Sequence, residues 1–198
     1  MKRTFVAGSG PGGPNAAAPP PKPISPTWLE RSALHYLERY SASTEMLRRT
    51  LARRVEKRAR LRGEDPAAFA EMIAATVARA VSAGLVDDTR FTETRVATLR
   101  RRGTSSRGVS AKLAAKGVPR DVVDAALQAE REAVPEGETE AIEDQAAEAY
   151  AKRRRLGPYR RPDQRAAYRE RDLAAMARAG FAYALARRVV DAEVDGVE

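Results

Sequence analysis

The sequence predicts an all-α fold: three tandem three-helix repeats forming an elongated, curved array behind a disordered Pro/Gly-rich N-terminal tail. Three observations carry that prediction. Apolar residues recur at helical spacing from about position 27 onward. No segment alternates with the period of two that a half-buried strand requires. Two stretches superimpose at an offset of 63 residues: Leu113, Gly117, Val118, Val122 and Leu127 fall on Met176, Gly180, Phe181, Leu185 and Val190. Self-similarity at that period is the signature of stacked units, each too small to bury much apolar surface alone.

The elements follow in order. Residues 1–26 are read as tail, because residues 1–27 hold seven of the twelve prolines, four glycines and no apolar periodicity. The first repeat is expected at 27–86. Leu29, Ala33, Tyr36, Leu37 and Tyr40 share one face of a helix near 27–40, and Ser41-Ala42-Ser43 breaks it. Ser43 caps a second helix with Leu47, Leu51 and Val55 inward. After Arg62-Gly63-Glu64, Asp65-Pro66 is a start signal, since proline needs no partner for an N–H at the first helical position. Phe69, Ile73, Val77 and Val81 form the next stripe, and Gly84 ends it in the left-handed conformation.

The second repeat is expected at 87–131. Asp87 or Asp88 caps a helix carrying Phe91, Val96 and Leu99, although Arg95 stands where an apolar residue is due. Ser105 or Ser106 caps a short helix with Val109 and Leu113 inward, stopped by Gly117; Pro119 opens another with Val122, Val123, Ala126 and Leu127. The acidic stretch around Pro135 and Gly137 reads as a linker. The third repeat, 138–193, holds a helix marked by Ile142, Ala146, Ala149 and Tyr150, a Gly157-Pro158 breaker, a helix through Leu173 and Met176 to Gly180, and one with Leu185, Val189 and Val190.

Charge narrows the function. Thirty-six lysines and arginines against 27 acids give a net charge of +9, and they cluster. Residues 45–62 carry eight basic and two acidic side chains, residues 95–120 eight basic and none acidic, and residues 152–171 nine basic and two acidic. Residues 121–148 hold ten acids and one arginine. Alternating basic and acidic stretches suit a polyanion or an acid-lined protein groove as partner. With no cysteine and a single histidine, His35, thiolate metal sites, disulfides and cysteine nucleophiles are excluded and a zinc site has no ligand set. Gly8-Ser9-Gly10-Pro11-Gly12-Gly13 lacks the preceding strand and the Lys-Ser/Thr ending of a phosphate loop, and reads as flexible tail. No Ser/His/Asp constellation or carboxylate pair stands out, so no enzyme, cofactor or small-molecule substrate is expected. The apolar run after Met1-Lys2-Arg3 is too short for a signal peptide and no run is long enough to span a bilayer, so a cytoplasmic location is expected.

Leu85-Val86-Asp87-Asp88-Thr89-Arg90-Phe91-Thr92-Glu93 resembles the LxDDxRFAE segment of the RecX family. Arg101-Arg102-Gly103, Arg107, Leu113 and Lys116-Gly117-Val118 resemble its basic continuation. Ala33-Leu34-His35-Tyr36-Leu37 with Ser43 and Leu47 is similar to its opening repeat, and Met176 to Phe181 with Arg187-Arg188-Val189-Val190 to its closing one. Arg95 departs from the family pattern, where an apolar or aromatic residue is usual, and the tail lies outside the resemblance. The resemblance implies a monomeric modulator that lodges in the groove of a RecA–single-stranded-DNA filament. There it would limit filament growth, ATP hydrolysis and strand exchange in recombination, DNA repair and the SOS response, with weak direct DNA contact at most.

The candidate contact residues are Arg100, Arg101, Arg102, Arg107, Lys112 and Lys116 in one patch, and Lys152, Arg153, Arg154, Arg155, Arg160 and Arg161 in another. Tyr150 beside the second patch suits base stacking or, on its helical spacing, the core. Asp87, Asp88, Phe91, Leu113, Gly117 and Gly180 are assigned to the fold. A direct helix-turn-helix nucleic-acid binder is the competing reading, but base-reading side chains are sparse: Asn15, Gln128, Gln145 and Gln164. An α-solenoid adaptor ranks behind it, because the gap between Gly84 and Gly117 does not recur.

Overall fold

A computed structural model describes residues 21–135 and 139–193, and these form helices and turns with no strand among the described residues. The helices are α1 (Pro26–Leu37), α2 (Thr44–Arg62), α3 (Ala70–Ser82), α4 (Asp88–Arg101), α5 (Ser106–Ala115), α6 (Arg120–Glu132), α7 (Thr139–Arg154), α8 (Arg165–Arg178) and α9 (Tyr183–Val190). Three 3₁₀ turns, Pro66–Phe69, Gly157–Tyr159 and Pro162–Gln164, connect them. The chain is an all-α array of tandem helical repeats. Residues 1–20, with the glycine run at 8–13, lie outside the described residues, as do Gly137 and the first residue of the expected third repeat.

Three apolar cores follow one another along the sequence. The first gathers Leu29, Leu47, Leu51, Val55, Ile73 and Val77; the second Phe91, Val96, Leu99, Val109, Leu113 and Leu127; the third Leu156, Leu173, Met176, Phe181, Leu185 and Val190. Phe91 packs in the second core at 8% exposure, so Phe91→Ala is expected to destabilise the protein by about 3 kcal/mol, the scale for truncating a core aromatic. Urea unfolding followed by circular dichroism checks this; a change under about 0.5 kcal/mol would place the ring outside the core.

Four sequence expectations shift. The tail does not reach residue 26: Ile24 is buried in the first core, and Ser25 caps α1 by accepting the Trp28 N–H. Arginines of α2 hold the segment before α1, Arg58 donating to the Lys22 carbonyl and Arg62 to that of Pro21. Helix α1 stops at Leu37, leaving Tyr40 58% exposed beyond its end. Val81 is exposed rather than part of the α3 stripe, because the buried face is Ile73, Thr76, Val77 and Ala80, and successive i+4 steps drift off it at 3.6 residues per turn. In α7 the buried face is Ala146, Ala147 and Ala151, with Ala149 only half-buried. Small residues there let the backbone of α7 come close to its neighbours.

The cores are joined by a junction that the chain builds twice. Ser43, the N-cap of α2, accepts the Met46 N–H and donates its hydroxyl to the Lys116 carbonyl at the end of α5, at 2.6 Å. Ser105, the N-cap of α5, accepts the Gly108 N–H and donates to the Ala179 carbonyl at the end of α8, also at 2.6 Å. Each serine thus satisfies an orphan N–H of its own helix and an orphan carbonyl of the next repeat. Gly117 and Gly180 follow those carbonyls with φ of +74° and +94°. A Cβ on Gly117 would stand 2.1 Å from Glu45 Cγ, and one on Gly180 would stand 2.7 Å from Ser105 Oγ. Asp87 caps α4 through the Arg90 N–H, whereas Asp88 reaches across to the Thr44 N–H at 2.7 Å.

Candidate anion-binding interface

Much of the positive charge is spent on structure. In α2, Glu45 binds both Arg48 and Arg49, and Arg54 donates to the Ser32 carbonyl. Two of the proposed contact residues are also locked. Arg100 is 12% exposed and sits between α4, α6 and α7. It donates to Glu130 at 2.8 Å, to Glu143 at 2.9 Å, to the Thr104 carbonyl and to Ser106 Oγ. Arg160 donates to Asp172, which is 1% exposed and also accepts the Gly157 N–H, and its guanidinium lies 4.4 Å from the Tyr168 ring centroid. Both leave the contact surface, Arg160 because the buried Asp172 needs a fixed cation and Arg100 because two half-buried carboxylates hold it.

The others divide. Lys116 is drawn into the first junction, Arg107 lies against Gly180 in the second, and Arg161 pairs with Asp163 on the surface. Arg101, Lys152 and Arg155 are exposed, and Arg155 has φ +55° at the exit from α7. Lys112, Arg102, Arg153 and Arg154 converge. Lys112, Arg153 and Arg154 line a cleft of about 420 Å³ between the second and third cores, with Thr104, Tyr150 and Arg178. No carboxylate lines it. Among the described residues, none of Arg95, Arg102, Lys112, Arg153, Arg154 and Arg178 forms an ion pair.

Helix geometry explains the convergence. The second and third cores meet where Gly103 lets the end of α4 touch the backbone of α7, which brings the last turn of α7 over α5. Lys112 projects from α5 and donates to Thr104 Oγ1 at 3.3 Å. Desolvation, followed by the fields of Arg153, Arg95 and Arg102, pushes its ammonium below the ordinary lysine value. Such a cluster of like charges is stabilised by any anion that enters it. Tyr150 forms the wall: its hydroxyl donates to the Ala175 carbonyl, its ring packs on Phe181, and Arg153 lies over it at 5.7 Å. The ring is therefore part of the fold rather than a free stacking surface.

Arg95 and Arg178 were absent from the sequence-derived contact set. Arg95 did carry a signal, as the one charged residue on an apolar stripe, and its half-buried position beside Lys112 accounts for it. Arg178 is the last residue of α8, and only the second junction brings it to α5 and α7.

A protein-family model described as RecX, second three-helix domain, matches residues 87–127, the span of α4 to α6. A regulatory protein RecX of Myxococcus xanthus (strain DK1622) is 40% identical over 172 residues, which cover 86% of this chain and 88% of the relative. The chain belongs to the RecX family. Another regulatory protein RecX, from Agrobacterium fabrum (strain C58 / ATCC 33970), is 30% identical over 164 residues, covering 83% of this chain and 82% of that protein. No solved structure matches the chain. RecX-type regulation is thus the role this chain shares with its relatives. Its middle core is the recognised RecX unit, and the cleft opens at the boundary of that unit with the third core. Among the described residues, no helix is long and apolar enough to cross a membrane.

Proposed function

We propose that this RecX-family chain is a non-enzymatic, cytoplasmic regulator of homologous recombination and DNA repair. It binds RecA and the RecA–single-stranded-DNA filament as a monomer and restrains filament growth, ATP hydrolysis and strand exchange. The observation that carries the reading is the 40% identity to a regulatory protein RecX along nearly the whole folded chain. The three units, taken as 27–86, 87–131 and 138–193, suit binding along a polymer better than enclosing a small molecule, because each junction extends the surface without closing a pocket.

Adding the protein to RecA on single-stranded DNA is expected to slow ATP hydrolysis at stoichiometric or lower ratios, measured by coupled phosphate release. Filaments that neither retain the protein on a pull-down nor change their ATPase rate would remove the assignment. Raising the salt should weaken the inhibition, since exposed cations act within a Debye length of about 10 Å at 0.1 M.

A further inference from the structure

The repeat supplies an internal comparison, because the two junctions share their backbone architecture and differ in side chains. At the first, the cleft is lined by Arg48, Arg49, Arg53 and Lys116, and Glu45 answers that charge. The Glu45 carboxyl is held at about 2 by the Arg48 hydrogen bond, reinforced by Arg49, so it stays ionised under all ordinary conditions. At the second junction the residue against the glycine is Arg107 in place of Glu45, and Ala111 stands where the first has Arg49. The same architecture therefore holds a carboxylate among its cations at one junction and none at the other. The second draws Lys112, Arg153, Arg154 and Arg178 from three helices toward a single space.

We infer that the cleft between the second and third cores binds the phosphodiester backbone of a nucleic-acid strand, directly and without reading its bases. The inference deepens the filament reading and rests on it for the natural source of the strand. Four cations without an ion pair among the described residues surround about 420 Å³ and suit repeated anionic charge, and a nucleic-acid strand carries a phosphate at every nucleotide. The filament proposed above carries such a strand. Arginine forks and the Lys112 ammonium both suit phosphate oxygens. Tyr150 is fixed on Phe181 and beneath Arg153, so bases stay outside and sequence is not discriminated.

Anisotropy of a short fluorescein-labelled oligothymidylate, with the full chain and no RecA, tests this. Wild type should bind with a log–log salt slope of about −3, from about 0.7 per phosphate for four neutralised phosphates. Lys112→Glu and Arg153→Glu should each weaken binding at least about fivefold at low salt and flatten the slope. Glu45→Gln keeps the packing on Gly117 and removes the counter-charge, and should strengthen binding by leaving the cations of the first cleft without their carboxylate. Oligoadenylate should bind like oligothymidylate, and polyglutamate of equal charge should compete poorly. Unchanged affinity in both charge-reversal variants, each folded by circular dichroism, overturns the inference, as does equal competition by polyglutamate. The RecA ATPase assay run in parallel separates the two claims. Inhibition by wild type alongside oligonucleotide binding that ignores Lys112 and Arg153 removes the cleft and leaves the filament reading. Binding that depends on them without any effect on RecA does the reverse.

Discussion

Arg100→Ala is expected to destabilise the protein by about 3 kcal/mol, because removing the shared cation of a largely desolvated charge cluster leaves two half-buried carboxylates uncompensated. Glu130 of α6 and Glu143 of α7 lose their shared cation, and the Thr104 carbonyl and Ser106 hydroxyl each lose a partner. Glu143 retains the Ser106 N–H, which limits the loss. Arg100→Lys should recover only part of the stability, since an ammonium cannot offer two parallel bonds to Glu130 while also reaching Glu143. Replacing Arg100, Glu130 and Glu143 together by Met and Leu should come out well above the single alanine variant, because no charge is then stranded. Equilibrium urea unfolding measures all three. A loss below about 1 kcal/mol for Arg100→Ala would mean the carboxylates are fully solvated there. Because the cluster ties α4 to α7, the same variant should also misalign the cationic cleft.

Gly103→Ala is the other large effect expected, about 4 kcal/mol. The residue has φ +66°, which costs an L-residue roughly 1–2 kcal/mol. An added Cβ would stand 2.3 Å from the Tyr150 backbone nitrogen and 2.7 Å from the Ala146 carbonyl oxygen. Those atoms belong to a helix backbone and cannot rotate aside, so overpacking adds roughly 1–3 kcal/mol. Gly63→Ala is the matched control: its φ is +69° and nothing lies within 4 Å of the added atom. It should show the conformational cost alone, about 1–2 kcal/mol. Thermal unfolding of the two variants side by side checks the difference; equal losses would mean α7 does not press on Gly103.

Local signals in the sequence located most of the helices. Ser43, and Ser105 or Ser106, were legible as caps because a hydroxyl before an apolar stripe satisfies an N–H that any helix leaves open, and the structure selects Ser105. The offset of 63 revealed Leu113 and Met176 as equivalent core positions, and both are fully buried. The site was less legible. Arg100, Arg101 and Arg102 are neighbours in sequence, yet the first is locked by two glutamates, the second is exposed, and the third belongs to the cleft field. Arg160 and Arg161 divide in the same way between a buried aspartate and open surface.

What the sequence by itself determined is the class of fold, the order of its helices, several of the caps that start them and glycines that end them, and the family. Each depends on residues within a turn or two of one another, or on a motif read in a line. Only the tertiary structure decided which cations are free. An arginine's state depends on whether a carboxylate reaches it from another helix, and Glu130, Glu143 and Asp172 reach theirs across 30, 43 and 12 residues. It also decided that two junctions built by the same serine bond carry opposite charge at their glycines, Glu45 at one and Arg107 at the other. That contrast arises from packing one repeat against the next, because a junction's field is the sum over side chains that the chain brings together only by folding.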